Sequence, residues 1–171
     1  MQCLVSGVRG PVEKMMPVAV KGITGGQPTG THLVSANFNA VESYGLERAQ
    51  TSPISREAGE RFGKALNALL ASPSHHRTIQ NMVYVYWAAP GTPKLLAIAI
   101  DPSTEEVRHL FESGRKGVAW SQYDDNARFH IFGLSANAAR VVVRTEIDTS
   151  IGEVGKSQAN WFMRLGLIGA D

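Results

Sequence analysis

The sequence predicts an α+β fold, in which two or three helices pack on a mainly antiparallel sheet. Apolar residues recur at helical spacing from 58 to 70, whereas 79–88, 127–133 and 139–148 are rich in β-branched and aromatic residues. The order of these segments favours helices packed against one sheet. The chain has 171 residues, 43% hydrophobic and 19% charged, which suits a single domain, 1–171, with a real core and argues against disorder.

The first helix has the strongest sequence signal. Ser52 is its predicted N-cap, and Pro53 fits the first helical position because an N–H is not needed there. The apolar spacing that follows predicts that Phe62, Leu66 and Leu69 are buried against the sheet. A Ser-Pro-Ser cluster at 72–74 is predicted to end the helix.

The other elements follow from turn residues and capping patterns. Gly7 ends a short strand, and a second short strand follows a glycine-rich loop. Ser103 and Glu106 form a capping box that predicts another helix. The remaining predicted segments are strands at 2–6, 32–37, 79–88, 127–133 and 139–148, and a closing helix at 157–168.

Charge is unevenly distributed along the chain, although the net charge is only +2. Segments 61–100 and 126–145 contain basic residues and no acid, and the segment between them is acidic. If folding gathers the basic segments on one face, that face will suit phosphates. If folding scatters them, they are ordinary solvated charges. The sequence leaves both arrangements open.

Cys3 is the only cysteine, so the sequence offers neither a disulfide framework nor a cysteine-ligated zinc site. This fits a reducing, cytoplasmic setting. No apolar run reaches the roughly 18–20 residues of a membrane span, and the N-terminal residues lack the apolar core of a signal peptide. We therefore expect a cytoplasmic protein without membrane contact.

The glycine-rich loop that begins near Lys21 is the most informative segment. Gly25 and Gly30 have the spacing of a nucleotide-binding P-loop, but Thr31 and His32 follow where a lysine and a hydroxyl residue would open a helix. The loop therefore argues against an ATPase. Its backbone N–H groups suit close approach to phosphates or bases, and an ordinary surface turn is the alternative. The candidate binding residues here are Lys21, Gly25, Gly26, Gln27, Gly30 and Asn37.

Two further groups of residues share strand faces. The even spacing of Arg140 and Arg144 puts both guanidiniums on one face, which suits phosphates or acidic partner residues, or is an ordinary exposed face. Met82, Tyr84 and Tyr86 also share a face. Their rings would stack on bases, or pack in a core or interface.

Signatures of catalysis are mostly missing from the sequence. It has no H-E-x-x-H or C-x-x-C motif, and residues 133–137 do not form a nucleophile elbow. Adjacent His75 and His76 would point to opposite faces of a strand, and Asp124-Asp125 has no third acid nearby. We expect no enzymatic activity, no metal site and no cofactor, with a small hydrolase as a remote alternative.

Several motifs, taken in chain order, resemble one protein family. They are C-L-V-S-G at 3–7, K-G-I at 21–23, G-G-Q-P-T-G at 25–30, V-S-A-N at 34–37, E-S-Y-G at 42–45, P-I-S at 53–55, A-L-N-A-L-L at 65–70, V-Y-W-A at 85–88 and F-G-L-S-A-N-A-A-R at 132–140. This series resembles the large subunit of the type I-C CRISPR surveillance complex (Cascade), subtype Dvulg. Pro28 and Thr29 replace the two serines of the family's loop, and Pro28 removes one backbone donor.

The resemblance implies a non-catalytic binding role. Members of the family are several times longer, so the chain is expected to be an internal segment of a longer protein. The implied partners are target double-stranded DNA and the subunits that hold the guide RNA, while a separately recruited nuclease-helicase cleaves the DNA. Asn137, Arg140 and Arg144 join the loop residues as nucleic-acid-binding candidates. A scaffold domain that contacts protein neighbours in the same complex is the main alternative.

Overall fold

The computed structural model describes residues 1–36, 39, 44–88, 126 and 128–150, and a few residues between 152 and 164. One helix described along its whole length and a four-stranded antiparallel sheet confirm the α+β prediction, with fewer such helices than expected. The helix predicted from Ser103 lies outside the described residues. The closing helix predicted at 157–168 lies mostly outside them, and its described residues, Ser157, Asn160 and Arg164, have helical backbone.

The elements are described in chain order. A 3-10 helix at Arg48–Thr51 precedes α1 (Arg56–Ala71), and the strands are β1 (His76–Ile79), β2 (Met82–Ala88), β3 (Arg128–Asn137) and β4 (Arg140–Ser150). The strands lie in the order β1-β2-β3-β4 across the sheet. β1 and β2 form an antiparallel hairpin in which Ile79 faces Met82. The segment 79–88, predicted as one strand, therefore contains the last residue of β1, a two-residue turn and all of β2.

α1 begins later than the sequence predicts. Its N-cap is Ser55, whose side-chain oxygen accepts a hydrogen bond from the Ala58 N–H. Ser52 is instead the C-cap of the preceding 3-10 helix. The carbonyl of Pro53 accepts a hydrogen bond from the Leu4 N–H, which ties Pro53 to the N-terminal segment rather than to the helix.

Both hairpin turns begin with a residue in the left-handed backbone region. Gln80 has a φ of 55° and Ala138 a φ of 53°. Each is the first of two residues between paired strands. Two-residue turns of this kind favour glycine at that position, and neither turn has one there. The gap between the strands predicted at 127–133 and 139–148 is therefore too long, because 134–137 belong to β3.

Replacing Ala138 by glycine should raise the free energy of unfolding by about 0.5–1 kcal/mol. Glycine avoids the cost of holding alanine at a positive φ, about 1–2 kcal/mol. Part of this gain is offset because glycine gives the unfolded chain more conformational entropy. Urea unfolding of the two proteins measures the difference. Ala139→Gly is the control, because the φ of Ala139 is not positive and glycine there should only destabilise. A lower midpoint for Ala138→Gly would contradict the turn geometry.

The two short strands predicted near the N-terminus are wrong. Residues 2–6 belong to a turn closed by one antiparallel bridge between Gln2 and Arg9. In the predicted strand 32–37, the described residues contain a single parallel bridge, from His32 to Arg140. Turn and bend residues at 4–6 and 33–34 interrupt the pairing in each case.

The main core lies between α1 and the sheet. Its buried members come from α1, the glycine loop and three strands: Val20, Ile23, Leu66, Leu70, Val83, Val85, Leu134 and Val141. Leu66 is buried as predicted, but Leu70 is buried where Leu69 was expected, and Leu69 is half-buried. Phe62 is half-buried and packs against a second cluster, formed by Cys3, Met16, Ala49, Ile54 and Ala58.

Two glycines explain why Phe62 does not face the sheet. Gly59 and Gly63 are one turn apart in α1, and the N-terminal segment crosses the helix at both. A Cβ at Gly63 would lie 2.7 Å from Val18 Cβ, and one at Gly59 would lie 2.9 Å from Pro17 Cδ. The side of α1 that carries Phe62 is therefore packed against residues 16–18 and their neighbours.

The chain divides into two compact units, each built from separate stretches of sequence. The first unit comprises Met1–Val85 and Phe132–Thr145, and the second comprises Tyr86–Ile131 and Glu146–Asp171. The first has ten Lys and Arg against five Asp and Glu, whereas the second has seven against ten. The small net charge therefore conceals a basic unit and an acidic one. No helix among the described residues is long and apolar enough to cross a membrane.

Candidate functional site

The glycine loop is a closed, double-turned structure in the first unit. At its base Val20 and Thr31 exchange backbone hydrogen bonds of 2.7 and 2.8 Å. The Gly26 N–H donates to the Ile23 carbonyl, and the Gly30 N–H donates to the Gln27 carbonyl, each at 2.9 Å. These two amides are therefore used inside the loop and are not available to a ligand in this conformation.

Gly30 is required by packing as well as by backbone conformation. It is buried, with a φ of +107°, and a Cβ there would lie 2.7 Å from Ala19 Cβ. Gly25 also has a positive φ, of +74°, but it is exposed and a Cβ there would meet only Ala136 Cβ, at 4.0 Å. Gly25 thus has room for another molecule to approach its backbone.

Asn67 of α1 fixes the start of the loop. Its side-chain oxygen accepts a 2.9 Å hydrogen bond from the Lys21 N–H, and its side-chain nitrogen donates to the Ala19 carbonyl at 2.9 Å. Both amide groups of Asn67 are therefore satisfied by the loop backbone. The side chain of Lys21 starts from this fixed point and is exposed, as is that of Gln27.

The loop lies against the turn that joins β3 and β4. The His32 N–H donates to the Ala139 carbonyl at 3.1 Å, and the His32 carbonyl accepts from the Val141 N–H at 3.0 Å. These bonds flank Arg140, which is half-buried, and the neighbouring Asn137 is exposed. Because Gly25 lies near Ala136, the loop and the turn are neighbours in the fold, and we call their polar and glycine residues the loop–turn surface: Lys21, Gly25, Gln27, Asn137 and Arg140.

The loop and the neighbouring turn contain most of the residues singled out from the sequence, and the others lie elsewhere. Arg144 lies further along β4, where its Nε donates a 2.9 Å hydrogen bond to Ser135 Oγ. Arg128 belongs to the second unit and pairs with Asp148 at 2.6 Å. Asn37 lies outside the described residues. Of these basic residues, Lys21 and Arg140 therefore lie in or beside the loop, whereas Arg144 and Arg128 do not.

The described acids of the first unit do not pair with the lysine of the loop–turn surface. The described acids of the first unit all lie elsewhere in ion pairs: Glu13 with Arg56, Glu47 with Lys14, Glu57 with Arg61, and Glu60 with Lys64 and Arg56. Hydrogen bonding and positive charge from Lys14 lower the pKa of Glu47, and Lys64 acts in the same way on the pKa of Glu60. No described acid pairs with Lys21.

Sequence reasoning misses the residues that hold this surface in place. Asn67 interrupts the apolar pattern of α1, and a polar residue between buried turns is the signal that points to a specific partner. His32 has no comparable signal. Its Nδ1 is buried without a hydrogen-bond partner among the described residues, although its backbone is firmly paired with the β3–β4 turn.

The histidine pair at 75–76 has structural partners. His75 Nδ1 lies 2.8 Å from Ser72 Oγ and 3.1 Å from Ser74 Oγ, and His76 Nδ1 lies 2.9 Å from the Ser72 carbonyl. Both rings therefore help to close the end of α1. In the part of the chain that the structure describes, no three His, Cys, Asp or Glu side chains form a group that would hold a metal ion.

The second unit contains a cluster on β2, β3 and β4. The rings of Trp87 and His130 stack with centroids 5.0 Å apart, and His130 Nδ1 lies 3.1 Å from Asp148 Oδ1. Arg128 binds the same carboxylate oxygen. This arrangement pairs Arg128 with an acid, although it belongs to the same acid-free segment, 126–145, as Arg140 and Arg144.

Comparison with known proteins identifies one family. The family described as CRISPR-associated protein (Cas_Csd1) matches residues 1–171, which is the whole chain. No curated protein matches the chain.

Proposed function

The chain belongs to the Csd1 family of CRISPR-associated proteins, and from that premise we propose that it is part of the large subunit of a type I-C CRISPR surveillance complex. In this role it binds target double-stranded DNA and contributes to recognition of the motif that flanks the target. It is a non-catalytic subunit, and its protein partners are the subunits that hold the guide RNA. This function is a binding role in antiviral defence in the cytoplasm.

The loop–turn surface is the observation that carries this proposal. It joins a cation on a fixed backbone, two amide side chains and an exposed glycine within the basic unit. Lys21 suits a phosphate, whereas Gln27 and Asn137 each offer the paired donor and acceptor that match a base edge in the major groove. Gly25 allows the DNA backbone to approach closely.

Two substitutions separate phosphate contact from base recognition in the assembled complex. Lys21→Ala should weaken binding to all DNA sequences alike and lower the slope of log affinity against log salt by about one, because one phosphate contact is lost. Gln27→Ala should weaken binding by different amounts for different flanking motifs. Affinity is measured at two salt concentrations, with matched and altered motifs.

Lys64→Ala is the matched control for the lysine, since Lys64 is paired with Glu60 on α1 and lies outside the loop–turn surface. It should leave the salt slope unchanged. If neither Lys21→Ala nor Gln27→Ala changes DNA binding at either salt concentration, the loop has a structural role only.

A scaffold role in the same complex is the second candidate function. The N-terminal turn exposes three apolar side chains, Leu4, Val5 and Val8, at 71%, 62% and 66%. The Leu4 N–H is bound to the Pro53 carbonyl, and Cys3 beside it is buried, so this turn is held firmly on the first unit. A rigid apolar projection of this kind favours contact with a protein neighbour.

A further inference from the structure

The side chains of β4 do not alternate regularly along the strand. Val141 lies in the core cluster together with Leu134, so both side chains point to the face of the sheet that carries α1. In a regular strand Thr145 would point to this face too, because side chains four positions apart share a face. A Cβ at Gly133 would instead lie 3.2 Å from Thr145 Cβ, and Gly133, next to Leu134, points to the opposite face. One extra residue is therefore present between Val141 and Thr145.

The extra residue lies at Arg144. Its Nε donates the 2.9 Å hydrogen bond to Ser135 Oγ, and Ser135 points to the same face as Gly133. Arg144 and Thr145 are adjacent in sequence, and both side chains therefore lie on the face of Gly133. Two consecutive residues of one strand opposite a single residue of the next form a β-bulge. Gly133 suits the single position because it has no side chain that would collide with Thr145.

The second half of β4 supports the bulge independently. Asp148 lies three residues beyond Thr145, and His130 lies three residues before Gly133, so both point away from the face of Gly133. Their contact of 3.1 Å, between His130 Nδ1 and Asp148 Oδ1, is therefore expected when the bulge is present. Without the extra residue, Asp148 and His130 would lie on opposite faces of the sheet.

The bulge interrupts a strand whose outer edge favours the addition of another strand. The Val141 N–H points away from β3, to the His32 carbonyl. Beyond Val141, no backbone-to-backbone hydrogen bond joins this edge to any residue that the structure describes outside the sheet. The β-branched side chains of Val143 and Ile147, on either side of the bulge, are 43% and 41% exposed. A long regular edge with exposed apolar side chains is a template for pairing with another chain.

We propose that the bulge at Arg144–Thr145 prevents β4 from pairing with the same strand of a second copy of the chain. At a bulge the strand bends and its twist increases. The backbone groups that point outward change from odd-numbered to even-numbered residues where the extra residue is inserted. A straight partner strand therefore matches only one half of β4, and this is one way in which native proteins protect sheet edges.

Deletion of Thr145 removes the extra residue and makes the edge of β4 continuous. Size-exclusion chromatography with light scattering measures the mass of the 171-residue chain and of the deletion variant over a range of concentrations. We expect the deletion variant to reach twice the mass of the original chain as its concentration rises. A folded deletion variant that keeps the mass of the original chain at every concentration would overturn the proposal.

Val143→Pro in the deletion variant separates edge pairing from misfolding. The Val143 N–H points away from β3, as the Val141 N–H does, so proline at 143 removes no hydrogen bond of the sheet. The same proline blocks a partner strand at this edge, and the double variant should return to the mass of the original chain. If association persists in the double variant, it does not occur through the edge of β4 and the proposal fails. Circular dichroism shows whether each variant is folded.

Nuclear magnetic resonance of the original chain tests the proposal even if the deletion variant does not fold. The Val143 amide hydrogen should exchange rapidly with solvent, because its edge carries no partner strand. Protons of the Thr145 side chain should show a nuclear Overhauser contact with the α-protons of Gly133. A protected Val143 amide would mean that another segment already covers the edge, and a missing contact at Gly133 would mean that no bulge is present. Either result would overturn the proposal.

Discussion

Replacing Leu134 by alanine should lower the free energy of unfolding by about 3–4 kcal/mol. Leu134 is 1% exposed and lies in the core cluster between β2, β4, the loop and α1. Removing its terminal carbons loses their transfer free energy and leaves a cavity that neighbours on both sides of the core cannot easily fill. Urea unfolding followed by circular dichroism measures the difference.

Leu4→Ala is the matched control for this substitution. It removes the same atoms from a side chain that is 71% exposed, so it should change the free energy of unfolding by no more than about 0.5 kcal/mol. Equal losses for the two variants would show that Leu134 does not occupy a close-packed core. A large loss for Leu4 alone would mean that the N-terminal turn is packed rather than exposed.

Gly30→Ala should destabilise the chain by about 3 kcal/mol, through two separate effects. The φ of +107° is strained for any residue with a Cβ, at a cost of about 1–3 kcal/mol. The new Cβ would also lie 2.7 Å from Ala19 Cβ, so the segment entering the loop must shift, which adds about 1–3 kcal/mol. Thermal and urea unfolding measure the total.

Two other glycines separate these effects. Gly45 has a φ of +71° and no atom within 4 Å of an added Cβ, so Gly45→Ala reports backbone strain alone. Gly10 is equally open and has no positive φ, so Gly10→Ala should be close to neutral. If Gly30→Ala costs no more than Gly45→Ala, the collision with Ala19 does not occur and the loop is less closely packed than described.

The fold is predictable where the signal is local. The apolar period of α1 identifies the helix and the burial of Leu66, because both depend on residues within a few turns of each other. The side of α1 that Phe62 occupies is decided by residues 16–18, which no helical pattern can reveal. The turn between β3 and β4 at Ala138 cannot be predicted from the sequence either, because alanine is not a typical turn residue.

The candidate site is predictable in composition but not in arrangement. The glycines of the loop mark an unusual backbone, and the structure gives Gly26 and Gly30 internal roles in turns and packing while Gly25 stays exposed. The neighbourhood of Arg140 depends on its pairing with His32, which joins segments distant in sequence. Tertiary pairing of this kind leaves no periodic pattern in either segment.

The interleaved first unit constrains how the protein folds during synthesis. Leu66, Leu70 and the loop emerge from the ribosome well before Leu134 and Val141, because 86–131 is made in between. At about 5–20 residues per second, several seconds pass while the apolar side of α1 lacks its partners. During this delay, chaperone binding competes with aggregation of the nascent chain. Slower translation of 86–131 would lengthen the delay.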